Sequence, residues 1–600
     1  MTLRSGALLT ALAAGMWGVV RMAGATAPPT SNPTSNPTAP SPQPSPPAGE
    51  REIGAPTPTP APLPHPLPAP GEPPPSAPSE RDDPLDLLWS HRLHFARGGA
   101  PLVTIRLMEG QGQVIFRSRA RAKLQVRGGG TIELAAGEQF RIRATDALPA
   151  VFAHHPLLAE AVQADHARLA SARRLWEERG VTVEQRQVGG VYGIAGRVVD
   201  NRRIVVLAAG DGSEGFAHEF AEQALELYGS RTGTFSEVLR RPSGRLEVLD
   251  AAGSRLASAD ALASVEVEGG AGFSLAAVEH DVGHAAHGFE DRAYRGRLHV
   301  TLDASGRLAA VLELPLEELL RGLVPSEIPA GCPREALRAQ AVTARSNVLA
   351  QLGTRHLGDP YALCSEVHCQ AYRGETAQAA ATDQAVRDTA GEALFGRADR
   401  TLVDAVYSAL CGGHGEDNEA VWPTLPDPNL RGRPDLPPEA SAAWEGGLRD
   451  EARLERFLEA APNAWCARAR GVRKDRYRWE RRFAPAELDR LAVPLAVGHV
   501  RSLEVTRRGA SGRARSLVVT GDAARGTVEG ELRIRQLLGN LPSAMFVVGR
   551  DGEATVLRGG GWGHGAGMCQ WGAIGRAEAG QSYREILRAY YAGAEVARVY

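Results

Sequence analysis

With 600 residues, 43% of them hydrophobic and 23% charged, the chain is long enough for several domain-sized cores and has an ordinary globular composition. Its 68 basic and 70 acidic side chains leave a formal net charge of −2, which argues against a nucleic-acid partner or a polybasic membrane-surface role. Six cysteines exclude a disulfide-dense mini-scaffold while leaving room for one metal site or a few isolated bridges.

Residues 1–25 have the layout of a secretory signal peptide: Arg4, an apolar run from Gly6 to Val20, and a small-residue end at Ala23-Gly24-Ala25. The run is shorter than the roughly 20 residues that span hydrocarbon, so a membrane association is expected only if the segment stays uncleaved. The expected location is exported, in the periplasm or cell envelope. Residues 26–84 follow as a Pro-rich disordered linker, because 21 of the 41 prolines lie between Pro28 and Pro78 and proline fixes φ and donates no hydrogen bond.

From Leu85 to residue 150, alternating segments such as LVTIRL and KLQVRGGGTIELAAGEQFRIRA predict strands and hairpins. Residues 151–230 predict a small α+β module, with an amphipathic helix over LLAEAVQADHARLASARRLWEERG, strands VTVEQRQV and RRIVVLAAG, and a second helix FAHEFAEQALELYG. A β-rich connection occupies 231–290. The fold class is α+β and multidomain, β-rich in the N-terminal half, with a mixed α/β C-terminal domain over 291–600.

In that last domain PLEELLRGL places Leu316, Leu319, Leu320 and Leu323 on one face of a short helix. Pro325 and Pro329 bracket Glu327 and predict that it sits on a rigid, irregular link. A second helix, PREALRAQAVTARSNVLAQL, carries Leu337, Ala341, Ala344, Val348 and Leu352 down one stripe. HLGDPYALCSEVHC puts His356, Cys364, His368 and Cys369 within 14 residues, as dense a thiolate and imidazole set as a metal site needs. A Cys364-Cys369 disulfide is the other reading open to an exported protein. Cys411 could pair with Cys466. The glycines of GGGWGHGAGMCQWGA permit φ > 0 and bring backbone N–H groups within reach of a ligand, with His564 and Gln570 adding polar side chains.

The run LPLEELLRGLVPSEIPAGCPREALRAQAVTARS, then HCQAYRG, CGGHGEDNEAVW and GGGWGHGAGMCQWGAIGRAEAGQSYREILRAYYAGAEV, resembles the stage II sporulation protein D family, also called the amidase-enhancer family, over about residues 291–600. The resemblance implies a peptidoglycan lytic transglycosylase with a glycan-binding cleft, cleaving strands that have lost their peptide stems, or a non-catalytic glycan-binding activator of a cell-wall amidase. The implied partners are peptidoglycan glycan strands and a cell-wall amidase. Glu327 matches the catalytic glutamate, whose role requires a pKa lifted from about 4.3 toward about 6 by an apolar site. Substrate contacts are implied for Gln340 and Arg345, whose amide and guanidinium suit sugar hydroxyls, and for Tyr372, His414, His564 and Gln570. The resemblance also implies one structural zinc on His356, Cys364 and Cys369, with His368 as fourth ligand or substitute, and no organic cofactor. Ser346-Asn347 stands where the family carries an aromatic, and Cys411 and His414 depart from its Ser-Gly-Gly loop. A zinc amidase or peptidase is disfavoured, because no His-Glu-x-x-His occurs and the tight Cys/His cluster suggests a closed site.

Overall fold

The computed structural model describes residues 83–96, 99–280, 287–366 and 368–600. The signal segment and nearly all of the Pro-rich linker therefore lie outside the described residues. Among the described residues no helix is long and apolar enough to cross a membrane. The described residues open on a helix, Pro84–Ser90, where strands were expected from Leu85. Asp83 caps it by accepting from the Leu85 N–H at 3.0 Å, and Pro84 at the first helical position supplies a ready-made φ.

Two antiparallel sheets of the N-terminal half share one core. The first orders His94–Phe95, Pro101–Gln111, Leu308–Pro315, Arg297–Leu302, Leu262–Val267, Ala122–Val126 and Thr131–Leu134, with Leu363–Cys364 adding a parallel pairing to Pro101–Gln111. The second orders Arg255–Asp260, Ser243–Leu249, Gln139–Leu148, Gln113–Ser118, Phe273–His280 and Gly288–Tyr294. The segments 85–150, 231–290 and 291–600 thus interleave: Glu313 and Leu314 pair with Thr104 and Val103 across more than 200 residues of chain. Alternation dictates this packing, since Val103, Ile105 and Leu107 turn inward from one strand and meet Leu298, Val300 and Leu312 in a single apolar cluster.

Residues 151–230 depart from expectation at their start. LLAEAV belongs to a strand, Val151–Val162, and the helix begins only at His166, capped by Asp165. Periodicity lost to tertiary pairing here, because Val151–Val162 is ladder-bonded on both edges, to Arg203–Ala208 and to Gly233–Arg240. The other three elements form as expected, at Val183–Val188, Arg203–Ala208 and Glu214–Tyr228. Asn201 ties this module to the C-terminal end of the helix Arg334–Gln351 by donating from Nδ2 to the carbonyls of Leu349 and Leu352 at 2.9 and 2.8 Å.

The C-terminal half is organised around two helices. Leu316–Glu327 buries Leu316, Leu319, Leu320 and Leu323, each worth about 1.5–3 kcal/mol of transfer free energy. It runs through Pro325 to Glu327, so Glu327 closes a helix rather than lying on an irregular link. The proline is tolerated because it falls in the last turn: Ile328 N–H still reaches the Val324 carbonyl, and the Ser326 hydroxyl donates to the Gly322 carbonyl at 2.7 Å. Arg334–Gln351 is buried on nearly all sides, not on one stripe, because sheets and helices surround it. Two three-stranded sheets, one of Arg478–Phe483, Ala554–Gly560 and Phe546–Asp551, the other of Val500–Arg508, Ala514–Gly521 and Arg525–Glu529, close a second core around Phe483, Leu517 and Phe546. The molecule is accordingly a mixed α and β structure, β-rich toward its N-terminus.

Candidate functional site

Glu327 ends its helix half-buried, and three other segments meet on it. The Ala371 N–H donates to its Oε1 at 2.6 Å, and the nearby Tyr407 hydroxyl and Gln570 amide favour the charged form of the carboxyl. Gln570 Nε2 donates as well to the Glu327 main-chain carbonyl at 3.0 Å and to Gln340 Oε1 at 3.3 Å. The Tyr407 hydroxyl donates to Gln370 Oε1 at 2.9 Å. Burial of the carboxyl outweighs these donors and the charge of Arg373, so its pKa is pushed up to about 7. The Tyr407 phenol moves up as well, through burial and the adjacent carboxyl, and remains a neutral donor.

Two loops hold this arrangement from behind. Tyr407–Ser408 pairs in parallel with Met568–Cys569, which brings Tyr407 and, one residue past the pairing, Gln570 to Glu327. His564 fixes that pairing: its Nδ1 accepts from the Ala566 N–H at 3.1 Å, which leaves the proton on Nε2 to donate to the Tyr407 carbonyl at 2.9 Å. Burial lowers the His564 pKa to about 4, so the ring is neutral at pH 7. The glycine-rich loop is spent on the protein itself rather than opened to a ligand. Trp562 N–H goes to the Leu410 carbonyl, Gly563 N–H to Pro542 and Met568 N–H to Val406. Gly565, at φ +81°, is required because a Cβ there would lie 2.5 Å from Arg513 Cζ, and that fully buried guanidinium clamps the carbonyls of Cys411 and Gly563.

The structure therefore brings Glu327, Gln340 and Gln570 into direct contact and places His564 one residue behind them. Gln340 is fully buried, so it orients Gln570 and has no surface to offer a sugar. Arg345 is elsewhere: it is fully buried and bonds both carboxylate oxygens of Glu317 at 2.7 and 2.8 Å and the Glu392 carbonyl at 3.0 Å. The expected glycan contact is thus an internal salt bridge. Tyr372 packs in the core, stacked on Tyr294 with ring centroids 6.1 Å apart and pressed against Gly322. His414 is buried against Phe457, its Nδ1 bonded to the Gly415 carbonyl at 2.7 Å, and burial lowers its pKa to about 4. Glu416 in the same loop is buried and accepts from the Ser511 hydroxyl at 2.6 Å. Tyr407 and Gln370 were not singled out from sequence. Gln370 stands in HCQAYRG beside the cysteine cluster, whereas Tyr407 carries no local signal.

The cluster His356, Cys364, His368 and Cys369 does converge, its ligand atoms lying within 4.8 Å of one another. His356 Nε2 is 3.2 Å from Cys369 Sγ, and Nδ1 of His368 is 3.8 Å from both sulfurs. Asp359 Oδ2 holds His356 Nδ1 at 2.9 Å, which fixes the ring with Nε2 toward the sulfurs. Both cysteines are free thiols. Two thiols, two imidazoles and an orienting carboxylate suit zinc. The loop also carries Ala371, so its conformation sets the N–H that bonds Glu327.

Comparison with known proteins gives two domain matches and several relatives. Residues 304–395 match the model described as stage II sporulation protein, and residues 416–567 match a domain of unknown function (DUF8618). An uncharacterised protein of Brachyspira hyodysenteriae is 25% identical over 296 residues, covering 48% of this chain and 68% of its own length. The amidase enhancer of Bacillus subtilis is 28% identical over 290 residues, covering 46% of this chain and 39% of its own. The stage II sporulation protein D of Bacillus amyloliquefaciens is 26% identical over 302 residues, covering 48% of this chain and 75% of its own.

Proposed function

From the premise that this chain belongs to the stage II sporulation protein D and amidase-enhancer family, we propose that it acts on bacterial cell-wall glycan as an exported lytic transglycosylase. The observation that carries this reading is the Glu327 carboxyl, buried among neutral donors and half-protonated near pH 7.

In the neutral form Glu327 protonates the departing glycosidic oxygen as the C1–O bond breaks. The C6 hydroxyl of the same muramic residue then attacks the anomeric carbon and passes its proton to the Glu327 carboxylate. One carboxyl thus serves both steps, the product is a 1,6-anhydro ring, and the acid is regenerated without water. The charge that appears transiently on Glu327 is stabilised by the Ala371 N–H, the Tyr407 hydroxyl and Gln570. Gln340, Gln370 and His564 orient those donors. Zinc on His356, Cys364, His368 and Cys369 would stiffen the loop that presents Ala371, a structural contribution.

The amidase-enhancer relative supports a second reading, in which the same surface binds glycan and stimulates an amidase. Digestion of amidase-treated glycan strands, read by mass spectrometry, separates the two. Anhydro-muramic ends that vanish in Glu327→Gln support the transglycosylase, and reducing ends would mean hydrolysis. Intact glycan with faster cleavage by an added amidase would establish the activator instead.

A further inference from the structure

Four ligand-type side chains outside the Glu327 neighbourhood converge in the C-terminal half. Cys411, Asp435, Cys466 and Cys569 come from four separate segments, are all buried, and present their sulfur and carboxylate atoms within 4.8 Å of one another. Cys411 Sγ is 3.8 Å from Cys466 Sγ and 3.4 Å from Asp435 Oδ2. Around a tetrahedral zinc with Zn–S of about 2.3 Å and Zn–O of about 2.0 Å, those edges would be about 3.8 and about 3.5 Å. A disulfide would require sulfurs about 2.05 Å apart.

The surroundings match what thiolate ligands need. Cys569 Sγ accepts from the backbone N–H of Cys411 at 3.1 Å and of Gly572 at 3.2 Å, and Cys411 Sγ accepts from Gly413 N–H at 3.4 Å. Arg576 holds Asp435 Oδ1 through Nη2 at 2.9 Å and Nε at 3.2 Å, and the Tyr590 hydroxyl donates to Oδ2 at 3.0 Å. These partners aim the carboxylate at the sulfurs as outer-shell groups do in metal sites. The shell beyond is apolar, with Leu410, Phe457, Ala464 and Met545 in the same cluster as the three cysteines. A small cavity bordered by Arg431, Arg433 and Tyr590 adjoins Cys411 and Asp435.

We propose that Cys411, Cys466, Cys569 and Asp435 form a second, closed structural zinc site that joins the CGGHG loop, the Trp465–Arg468 turn and the helix Gln570–Glu578. Binding would release three thiol protons to solvent, and the three thiolates and one carboxylate would leave a net charge of −2 on the metal unit. Arg576 and the N–H groups on sulfur compensate that charge. Because Cys569 immediately precedes Gln570, the metal would fix the start of the helix that carries a partner of Glu327.

The test is metal analysis of the full chain after export and purification without chelators. The expected result is a zinc equivalent that survives Cys364→Ser/Cys369→Ser, and in that variant loaded with cobalt(II), sulfur-to-cobalt charge-transfer bands that disappear on adding Cys466→Ser. In the unmutated chain, which needs no variant to fold, Cys411, Cys466 and Cys569 should resist alkylation under native conditions and become reactive in denaturant with a zinc chelator, as intact thiols. A Cys411-Cys466 bridge in a non-reducing peptide map would overturn the proposal. So would a Cys364→Ser/Cys369→Ser protein that is folded, metal-free and without cobalt–thiolate bands.

Discussion

The helix Leu316–Glu327 bears a carboxylate near each end, and the two live in opposite electrostatic worlds. At the N-terminal end, burial alone would raise the Glu317 pKa, but the Arg345 guanidinium, the Tyr600 hydroxyl and the Gly391 N–H reverse the effect and hold it below the ordinary range. At the C-terminal end the donors around Glu327 and the charge of Arg373 are outweighed by burial, which lifts it to about 7. The same residue type on the same twelve-residue helix is therefore a permanent structural anion in one place and a carboxyl with a raised pKa in the other. Whether a cation has been placed in contact decides which.

The largest expected effect is on turnover. Glu327→Gln should lower anhydro-end formation by about 10²- to 10⁴-fold while glycan binding persists, since the amide keeps the acceptor for Ala371 N–H but cannot pass a proton. Wild-type rates from Glu327→Gln would dissolve the contrast. Arg345→Ala should instead leave the buried Glu317 without its counter-ion and destabilise the protein by about 3–5 kcal/mol, read as a fall in the denaturant midpoint. A loss below about 1 kcal/mol would show that the pair is not a structural anchor.

Acidity sharpens the same comparison. A carboxyl with a raised folded pKa is neutral in both states at low pH, so its burial carries no penalty below about 4.5 and a growing one as pH rises through about 7. Glu327→Gln should therefore gain stability over wild type at pH 8 and not at pH 4, by about 1–3 kcal/mol. For Glu317 the sign is opposite: its pairing stabilises above the unfolded pKa near 4.5 and is lost as pH falls below it, so Arg345 variants should show a flatter acid limb. In activity, the alkaline limb of the rate profile should fall through about pH 7. The smallest effect belongs to Tyr407→Phe. Removing a donor that favours the carboxylate should move that limb upward by less than about one pH unit, and a downward move would assign the hydroxyl another role.

Local pattern determined a good deal of this molecule. The alternation in LVTIRL set a strand, the leucines of PLEELLRGL set a helix and its inner face, and the fourteen residues from His356 to Cys369 named a four-ligand cluster because its members sit on one short loop. The PSEIP motif singled out Glu327 as a candidate. Tertiary structure decided what surrounds these residues. It paired LLAEAV from both edges and turned a helical pattern into a strand, and it drew Arg345 to Glu317 and away from the candidate site. It also set Tyr407 on Glu327 through a pairing 161 positions distant, Tyr407 with Met568. The cluster of Cys411, Asp435, Cys466 and Cys569 is the limiting case, since each member alone reads as an ordinary buried residue. Periodicity reports the environment along one element, whereas ionisation and metal affinity depend on which charges and ligands other elements bring within a few ångströms.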